Sequence, residues 1–415
     1  MFTYQNNTLF CEQTPLPDIA QKFGTPAYVY SQAIFTQNAQ TYLQAVPAPH
    51  PANLLCYAVK ANGNTSILRQ LRKAGLGADV TSGGELFLAT HAGIRPENII
   101  YSGVGKTRDE IHTAVSLGIR AIHVETMQEV AVIAEESAQL DKVTRIGVRV
   151  NPNIAAETHP AISTGQKAHK FGVEPETAVA ILQQAHSHPH LEPHALATHI
   201  GSQITELAPY RTAAHFLVEI AEEMRTAGIP LAYLDVGGGL GIEYHEALQP
   251  LSIHARRIHE WVTAVSSPIL QAGYGIVMEP GRSIIGPAGA LLTRVTAVKL
   301  QGGKQFVITD AGMSDLIRPT LYDAYHPIVP VVKNASEDGQ LVDVVGPICE
   351  TGDFLAKNRM LPPVQPGDLL AVLQVGAYGY AMSSNYNGRL RPVEVLVNGR
   401  QKTVIRARQT FADLL

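Results

Sequence analysis

The chain has 415 residues, 45% of them apolar and 16% charged, with 32 Lys and Arg against 36 Asp and Glu for a formal net charge of −4. That length allows two or three domains, or one α/β barrel plus a second domain, and it is enough to bury a large core. The composition excludes a disordered chain, and the near-neutral balance leaves no electrostatic footprint for nucleic acid.

The first residues, MFTYQNNTLFCEQ, lack a basic segment followed by an apolar run, so no secretory signal is read there. A short strand at Ala27 to Tyr30 (AYVY) comes next. Eight apolar, β-branched runs then follow, separated by helix-like segments: Leu54 to Val59, Ala78 to Thr81, Ile99 to Ser102, Ala121 to Glu125, Ile146 to Val150, Ala195 to Ile200, Leu234 to Val236 and Ile276 to Glu279. The intervening stretches, such as Asn64 to Ala74 and Arg108 to Gly118, carry apolar residues at helical spacing and stop at glycines. Eight alternating units are the count of a (β/α)8 TIM barrel. The fifth gap is longer than the others. Its first part, NPNIAAETHPAISTGQKAHKFGV, is polar and marked by Gly and Pro. It follows a strand's C-terminal end, where barrel enzymes place active-site loops, although a tolerated surface insertion reads the same way.

After Gly281 the pattern turns β-rich: Ala290 to Lys299, Phe306 to Thr309, Leu341 to Val345, Leu369 to Val375 and Val393 to Val397, joined by turns such as QPGD and VNGR. The stretch Ile284 to Val298, interrupted by Pro287 and Arg294, is too short to span a bilayer, and no membrane association is expected. The expected architecture is therefore an α/β barrel plus an all-β domain of sandwich or barrel-like form. Residues 1–30 are assigned to the β domain, 31–281 to the barrel and 282–415 to the C-terminal β domain. The three cysteines, Cys11, Cys56 and Cys349, are far apart and outside any CxxC pair, which indicates neither a disulfide framework nor a metal cluster and fits a cytoplasmic chain.

Three strand ends carry chemistry together. The first closes on Tyr57-Ala-Val-Lys60-Ala-Asn62, where a desolvated lysine would be part free amine, suited to a Schiff base with an aldehyde; a strand-end lysine reaching solvent is the bland alternative. The seventh leads into Asp235-Val-Gly-Gly-Gly239. Its backbone N–H groups can approach a phosphate, and Ile242 stands where a dinucleotide fingerprint needs glycine. An unliganded Gly-rich turn is the alternative. The eighth closes on Glu279-Pro-Gly-Arg282, whose carboxylate is suited to a protonated ring nitrogen, or to an ordinary ion pair. Strands one, seven and eight are adjacent on a closed barrel. An amine, a phosphate cradle and a carboxylate match the aldehyde, phosphate and pyridine nitrogen of pyridoxal 5′-phosphate. His199, in His-Ile-Gly-Ser-Gln203, can stack on such a ring with Ser202 at the phosphate, or it can be a packed core histidine. In the β domain, Cys349 beside Glu350 offers a protonated thiol able to reprotonate a carbanion, although a free cysteine is more often a filler. Arg318, Tyr322 and Tyr378 add polar groups in otherwise apolar segments, and an arginine is suited to bidentate capture of a carboxylate.

These residues give the chain a recognisable pattern. From about Pro26 to Arg391 it resembles the diaminopimelate decarboxylases, within the alanine-racemase-fold (fold type III) pyridoxal-phosphate enzymes. The resemblance rests on the motifs above in order, together with Thr164-Gly165 and Lys170-Phe-Gly172 in the long loop, Arg318-Pro-Thr-Leu-Tyr322, Gly346-Pro-Ile-Cys-Glu350 and Gly376-Ala-Tyr-Gly379. It implies that Lys60 carries the cofactor and His199 stacks on its ring. Ser202, Gly238, Gly239 and Tyr378 would hold the phosphate side, and Glu279 the ring nitrogen. Arg282, Arg318 and Tyr322 would grip the substrate's distal carboxylate, with Glu350 at its ammonium, and Tyr378 would contact substrate as well as phosphate. Cys349 would be the proton donor. The family's Cys-Glu pair serves the other subunit's site, which implies a homodimer with shared active sites. The implied reaction is decarboxylation of meso-2,6-diaminopimelate to L-lysine and CO2, the last step of lysine biosynthesis. The alternatives are a decarboxylase of another basic amino acid, L- or D-lysine, ornithine or arginine, and, from another class, a non-enzymatic carrier of the same cofactor. Lys170 has no role derivable from its surroundings in the sequence.

Overall fold

The computed structural model describes residues 1–154, 170–245, 248–333 and 338–415. Thr164 and Gly165 of the long loop lie outside the described residues.

The eight apolar runs form eight parallel strands: Leu54–Ala58, Gly77–Val80, Ile99–Tyr101, Ala121–Val124, Thr144–Arg149, Leu191–Ala197, Tyr233–Asp235 and Gly275–Met278. They are numbered one to eight here in chain order. Each pairs with its neighbours, and the eighth pairs back onto the first, with Val277 opposite Leu54, which closes the barrel. Strands covered on both faces need no polar alternation, which is why they read as continuous apolar runs. Inside, Cys56, Ile100, Ala195, Tyr233 and Val277 pack into a core with no exposed surface. The crossover helices start where the side chains allow: Asn64 accepts from the backbone of Ser66, and Ser82 from that of Glu85. Thr107 and Glu110 form a reciprocal capping box, closed at the other end by Gly118 in the left-handed region.

The extra length after strand five returns to the barrel at its far end. Val173 bridges in parallel to Val150, and the Gly172 N–H donates to Glu125 Oε2 at 2.7 Å. The Arg149 guanidinium, bonded to the same carboxylate through Oε1 at 3.1 Å, lies over the Phe171 ring. The KFG motif is thus the point at which the loop is tied down, and a helix, Pro175–Ser187, leaves from it.

The chain divides into two units: Asn38–Gly241 with Ser252–Ser283, and Met1–Gln37 with Ile242–Leu251 and Ile284–Leu415. The second is built on a mixed sheet whose spine is the long strand Gly289–Gln301, paired antiparallel with Lys304–Thr309, Leu369–Leu373 and the N-terminal strand Ala27–Ser31. Ala27–Ser31 in turn pairs in parallel with Val393–Asn398. The separate three-stranded sheet Phe2–Gln5, Thr8–Cys11 and Thr14–Pro15 was not read from the sequence, and three strands of the mixed sheet lack a sequence signal. Phe354–Leu361 is interrupted by Lys357 and Arg359 around Asn358, which sits at φ +48°. Gln401–Arg406 is a polar, largely exposed edge, and Ile328–Pro330 is only three residues long and ends in proline. The excursion 242–251, which lies inside the sequence-defined barrel, belongs to this β-rich unit.

Candidate active site

In the barrel unit, strand one runs out into a single 3-10 turn, Val59–Ala61, with Val59 and Ala61 buried. Lys60 between them sends Nζ to within 2.7 Å of Asp79 Oδ2, its side chain 37% exposed against 0% for the aspartate. Asp79 lies in strand two opposite Ala58. Its other oxygen, Oδ1, is buried and meets no donor among the described residues, an arrangement that costs free energy unless something else supplies a bond.

Strand seven ends at Asp235, whose Oδ1 accepts the Gly237 N–H at 2.8 Å, and Gly237 O accepts the Glu279 N–H at 2.7 Å. The glycine strip is therefore sewn between the ends of strands six and eight. A Cβ at Gly238 would stand 2.3 Å from Glu279 O. One at Gly239, where φ is +93°, would stand 2.1 Å from Gly201 O. No other residue fits at either position, and the strip presents bare backbone. The Gly238 N–H points at His199 Nδ1, 3.3 Å away. Burial, reinforced by the positive charges of Arg149 and Lys60, pushes this imidazole well below its ordinary value, so His199 is neutral and Nδ1 accepts. Arg282 is buried and donates through Nη2 to Ser202 Oγ at 3.1 Å, which sets a cation and a hydroxyl together on the residues that flank the strip.

The carboxyls deeper in the barrel differ from surface acids. Burial, then the neighbouring charges of Asp235 and Asp79, raise Glu279 well above the usual carboxylate range; burial pushes Asp235 up to about 7. Asp235 Oδ2 has no hydrogen-bond donor among the described residues, and one proton shared between these two acids would supply it. Sequence reading assigned no role to Asp79, Asp235 or His123. The available signal was a polar residue inside an otherwise apolar strand: GADV, YLD and AIHV.

The remaining expected residues lie in the β-rich unit. Arg318 is buried, donating through Nη1 to Tyr244 Oη at 3.1 Å and to His326 Nε2 at 2.8 Å. His326 must accept there, so its Nδ1–H serves Leu373 O at 3.2 Å. Tyr244 and His326 were not singled out from the sequence, because only the fold brings residues 244, 318 and 326 together. Tyr322 closes the short helix Arg318–Tyr322 and is partly buried. Cys349 is exposed, its backbone N–H donating to Asn387 Oδ1 at 2.9 Å, while Glu350 Oε2 accepts from Tyr386 Oη at 3.0 Å. Tyr378 sits at φ +57°, a strained conformation for a side chain of this size and one found preferentially where ligands bind. Lys170 is exposed, with Nζ over the Phe171 ring. Among the described residues, no helix is long and apolar enough to cross a membrane.

Residues 33–286 match the family model of the pyridoxal-dependent decarboxylase, pyridoxal binding domain. The chain is 45% identical over 413 residues to the diaminopimelate decarboxylase of Aquifex aeolicus, covering 98% of this chain and 95% of that protein. Its fold is similar to that of the diaminopimelate decarboxylase from Helicobacter pylori complexed with L-lysine, with a TM-score of 0.90, 39% identity and coverage of 96% and 98% of the two chains. It is similar also to the diaminopimelate decarboxylase from M. jannaschii in co-complex with L-lysine, with a TM-score of 0.92, 34% identity and coverage of 100% and 96%.

Proposed function

The chain belongs to the diaminopimelate decarboxylases, a family of pyridoxal-dependent decarboxylases, and on that premise we propose that it removes one carboxylate of meso-2,6-diaminopimelate as CO2 and leaves L-lysine. The observation that carries the reading is the near-full-length identity to such enzymes. It is supported by an amine, a glycine strip and a buried carboxyl at the ends of strands one, seven and eight, which are neighbours in the closed barrel.

The residues present fit pyridoxal 5′-phosphate: a strip with no room for a Cβ at Gly238 or Gly239, a buried Asp79 oxygen with no donor among the described residues, and a buried acid at Glu279. Lys60 would hold the aldehyde carbon, and His199 would lie on the ring. Ser202, Gly238, Gly239 and Tyr378 would hold the phosphate, and Glu279 would face the ring nitrogen. When bound, the cofactor supplies an electron sink for the pair left behind by departing CO2. The protein does the rest. Asp79 Oδ2 fixes the Lys60 ammonium and keeps its proton close. Neutral His199 offers a ring face without adding charge. Glu279 holds a proton that its burial makes costly to release to water, and that it can pass to a basic nitrogen.

For the substrate, Arg318, Tyr322 and Arg282 are proposed to bind the distal carboxylate and Glu350 the distal ammonium, so that a zwitterionic end is recognised by opposite charges. Cys349 is proposed to deliver the proton that replaces CO2 at the α-carbon. The same resemblance supports a homodimer with shared active sites and a cytoplasmic location. The test is CO2 release measured side by side from meso-diaminopimelate, L-lysine, L-ornithine, L-arginine and D-lysine. The first should react fastest and yield L-lysine. Preference for any of the other four would replace the substrate, and cofactor uptake without release from any of them would leave a carrier.

A further inference from the structure

Inside the barrel, a run of side chains that the proposed reaction does not use leads up to Glu279. Tyr233 Oη lies 3.2 Å from His123 Nε2, His123 Nδ1 lies 3.4 Å from Ser102 Oγ, and Ser102 Oγ donates to Glu279 Oε1 at 3.3 Å. The four come from the ends or interiors of strands seven, four, three and eight, and all are buried. The fifth strand makes room for the imidazole: a Cβ at Gly147 would stand 2.4 Å from His123 Cδ2, so glycine is required in the middle of a strand where it otherwise weakens pairing.

Proton counting gives the run a direction. Burial, helped by the positive charges of Lys106, Arg149 and Arg120, pushes His123 down to about 3, so the ring is neutral and carries one N–H. Burial, then the charge of Asp235, raises the Tyr233 phenol well above its ordinary value against the pull of Arg120, so Tyr233 keeps its proton and donates. With Nε2 accepting from Tyr233, the ring proton sits on Nδ1 and is given to Ser102 Oγ, and the serine hydroxyl is left to donate to Glu279. Each donor then points toward Glu279. A chain of this kind polarises each successive bond.

We propose that Tyr233, His123 and Ser102 are positioning residues that hold Glu279 as an acceptor at Oε1 and so set the orientation and ionisation that this carboxyl presents to the cofactor's ring nitrogen. The proposal rests on the reading of Glu279 as the ring-nitrogen partner. Glu279 is also faced by Asp235, Asp79 and Lys60, and Asp235 Oδ2 stands 3.8 Å from His123 Nδ1; each variant below is therefore also made on an Asp235→Asn background, where a shift that persists reports the run itself.

The experiment compares wild type with His123→Leu, His123→Asn and Tyr233→Phe. The asparagine amide can replace the Nδ1 donor but not the Nε2 acceptor. In cofactor-free protein, the carboxylic-acid infrared band is followed against pH, with Glu279→Gln identifying the Glu279 contribution. In protein loaded with pyridoxal phosphate, the visible spectrum is titrated and cofactor retention measured. In His123→Leu, the Glu279 band should persist to higher pH by about one unit, and cofactor retention should fall about tenfold, the loss expected when a charged acceptor loses one supporting bond. His123→Asn should recover most of both changes, and Tyr233→Phe should show a smaller shift of the same sign. Unchanged infrared and visible titrations in folded His123→Leu would overturn the proposal. So would an asparagine variant no better than leucine, because packing alone would then explain the site. Should His123→Leu fail to fold, a Tyr233→Phe titration identical to wild type overturns it equally. Wild type that takes up no cofactor would defeat the functional reading, while the infrared titration still decides the proposal.

Discussion

Buried carboxylates occur in both units, and their surroundings differ. In the β-rich unit their oxygens are taken up by protein donors. Glu394 Oε1 accepts from Tyr30 Oη at 2.7 Å and Oε2 from Arg406 Nε at 2.6 Å. Asp353 accepts the Met313 and Ile348 N–H groups, one on each oxygen, both at 2.6 Å. The partly buried Asp310 serves Thr293, Arg294 and Thr25. In the barrel unit the buried Glu125, Glu129 and Glu136 are satisfied in the same way, whereas Asp79 and Asp235 each bond through one oxygen and, among the described residues, leave the other buried without a donor. Such an oxygen costs about 1–3 kcal/mol. Identical chemistry therefore marks two purposes: the satisfied acids pin strands and turns, while the half-satisfied ones stand beside Lys60 and Glu279, where a ligand or a shared proton can complete them.

This contrast can be broken in three ways, taken in order of expected size. Lys60→Ala should lose at least about three orders of magnitude in CO2 release, because the covalent anchor is gone, and should also lose the visible absorbance of loaded protein. Near-normal turnover would mean that the barrel amine is structural. Glu394→Gln should destabilise the protein by about 2–3 kcal/mol in denaturant unfolding, since it weakens two charge-assisted bonds at a fully buried site, while leaving cofactor uptake unchanged. Altered uptake would blur the division between the two sets of acids. The smallest effect is pH-dependent. Asp235 holds its proton more tightly when folded, up to about 7 from an ordinary 3.8, so its contribution is full below about pH 4 and is lost as pH rises through 7. The melting temperature of cofactor-free wild type relative to Asp235→Asn should therefore fall by about 2–4 °C between pH 5 and 8. A constant or rising difference would contradict the shared-proton picture.

Much of the barrel was legible in the sequence because its strands are buried on both faces and its caps are local: Thr107 with Glu110 announces a helix start without help from the rest of the fold. Lys60 and Glu279 stood out because each interrupts an apolar run at its end. Asp79, Asp235 and His123 interrupt such runs too. Their roles depend on which strands face one another across the closed sheet, and spacing along the chain does not record that. The β-rich unit hid more. Asn358 at positive φ breaks the alternation of its strand, and the Arg318 pairing with Tyr244 joins residues far apart in the chain through the excursion 242–251. The Lys170-Phe-Gly172 motif acquires a physical role only in three dimensions, where Glu125 and Arg149 hold it.

The central claim is that Lys60 is the covalent anchor of the cofactor in the barrel. Borohydride reduction of protein loaded with pyridoxal phosphate, followed by peptide mapping, tests it directly. The account predicts a single pyridoxyl-modified lysine at position 60, absent from Lys60→Ala; modification at another lysine, or none in loaded wild type, would contradict it.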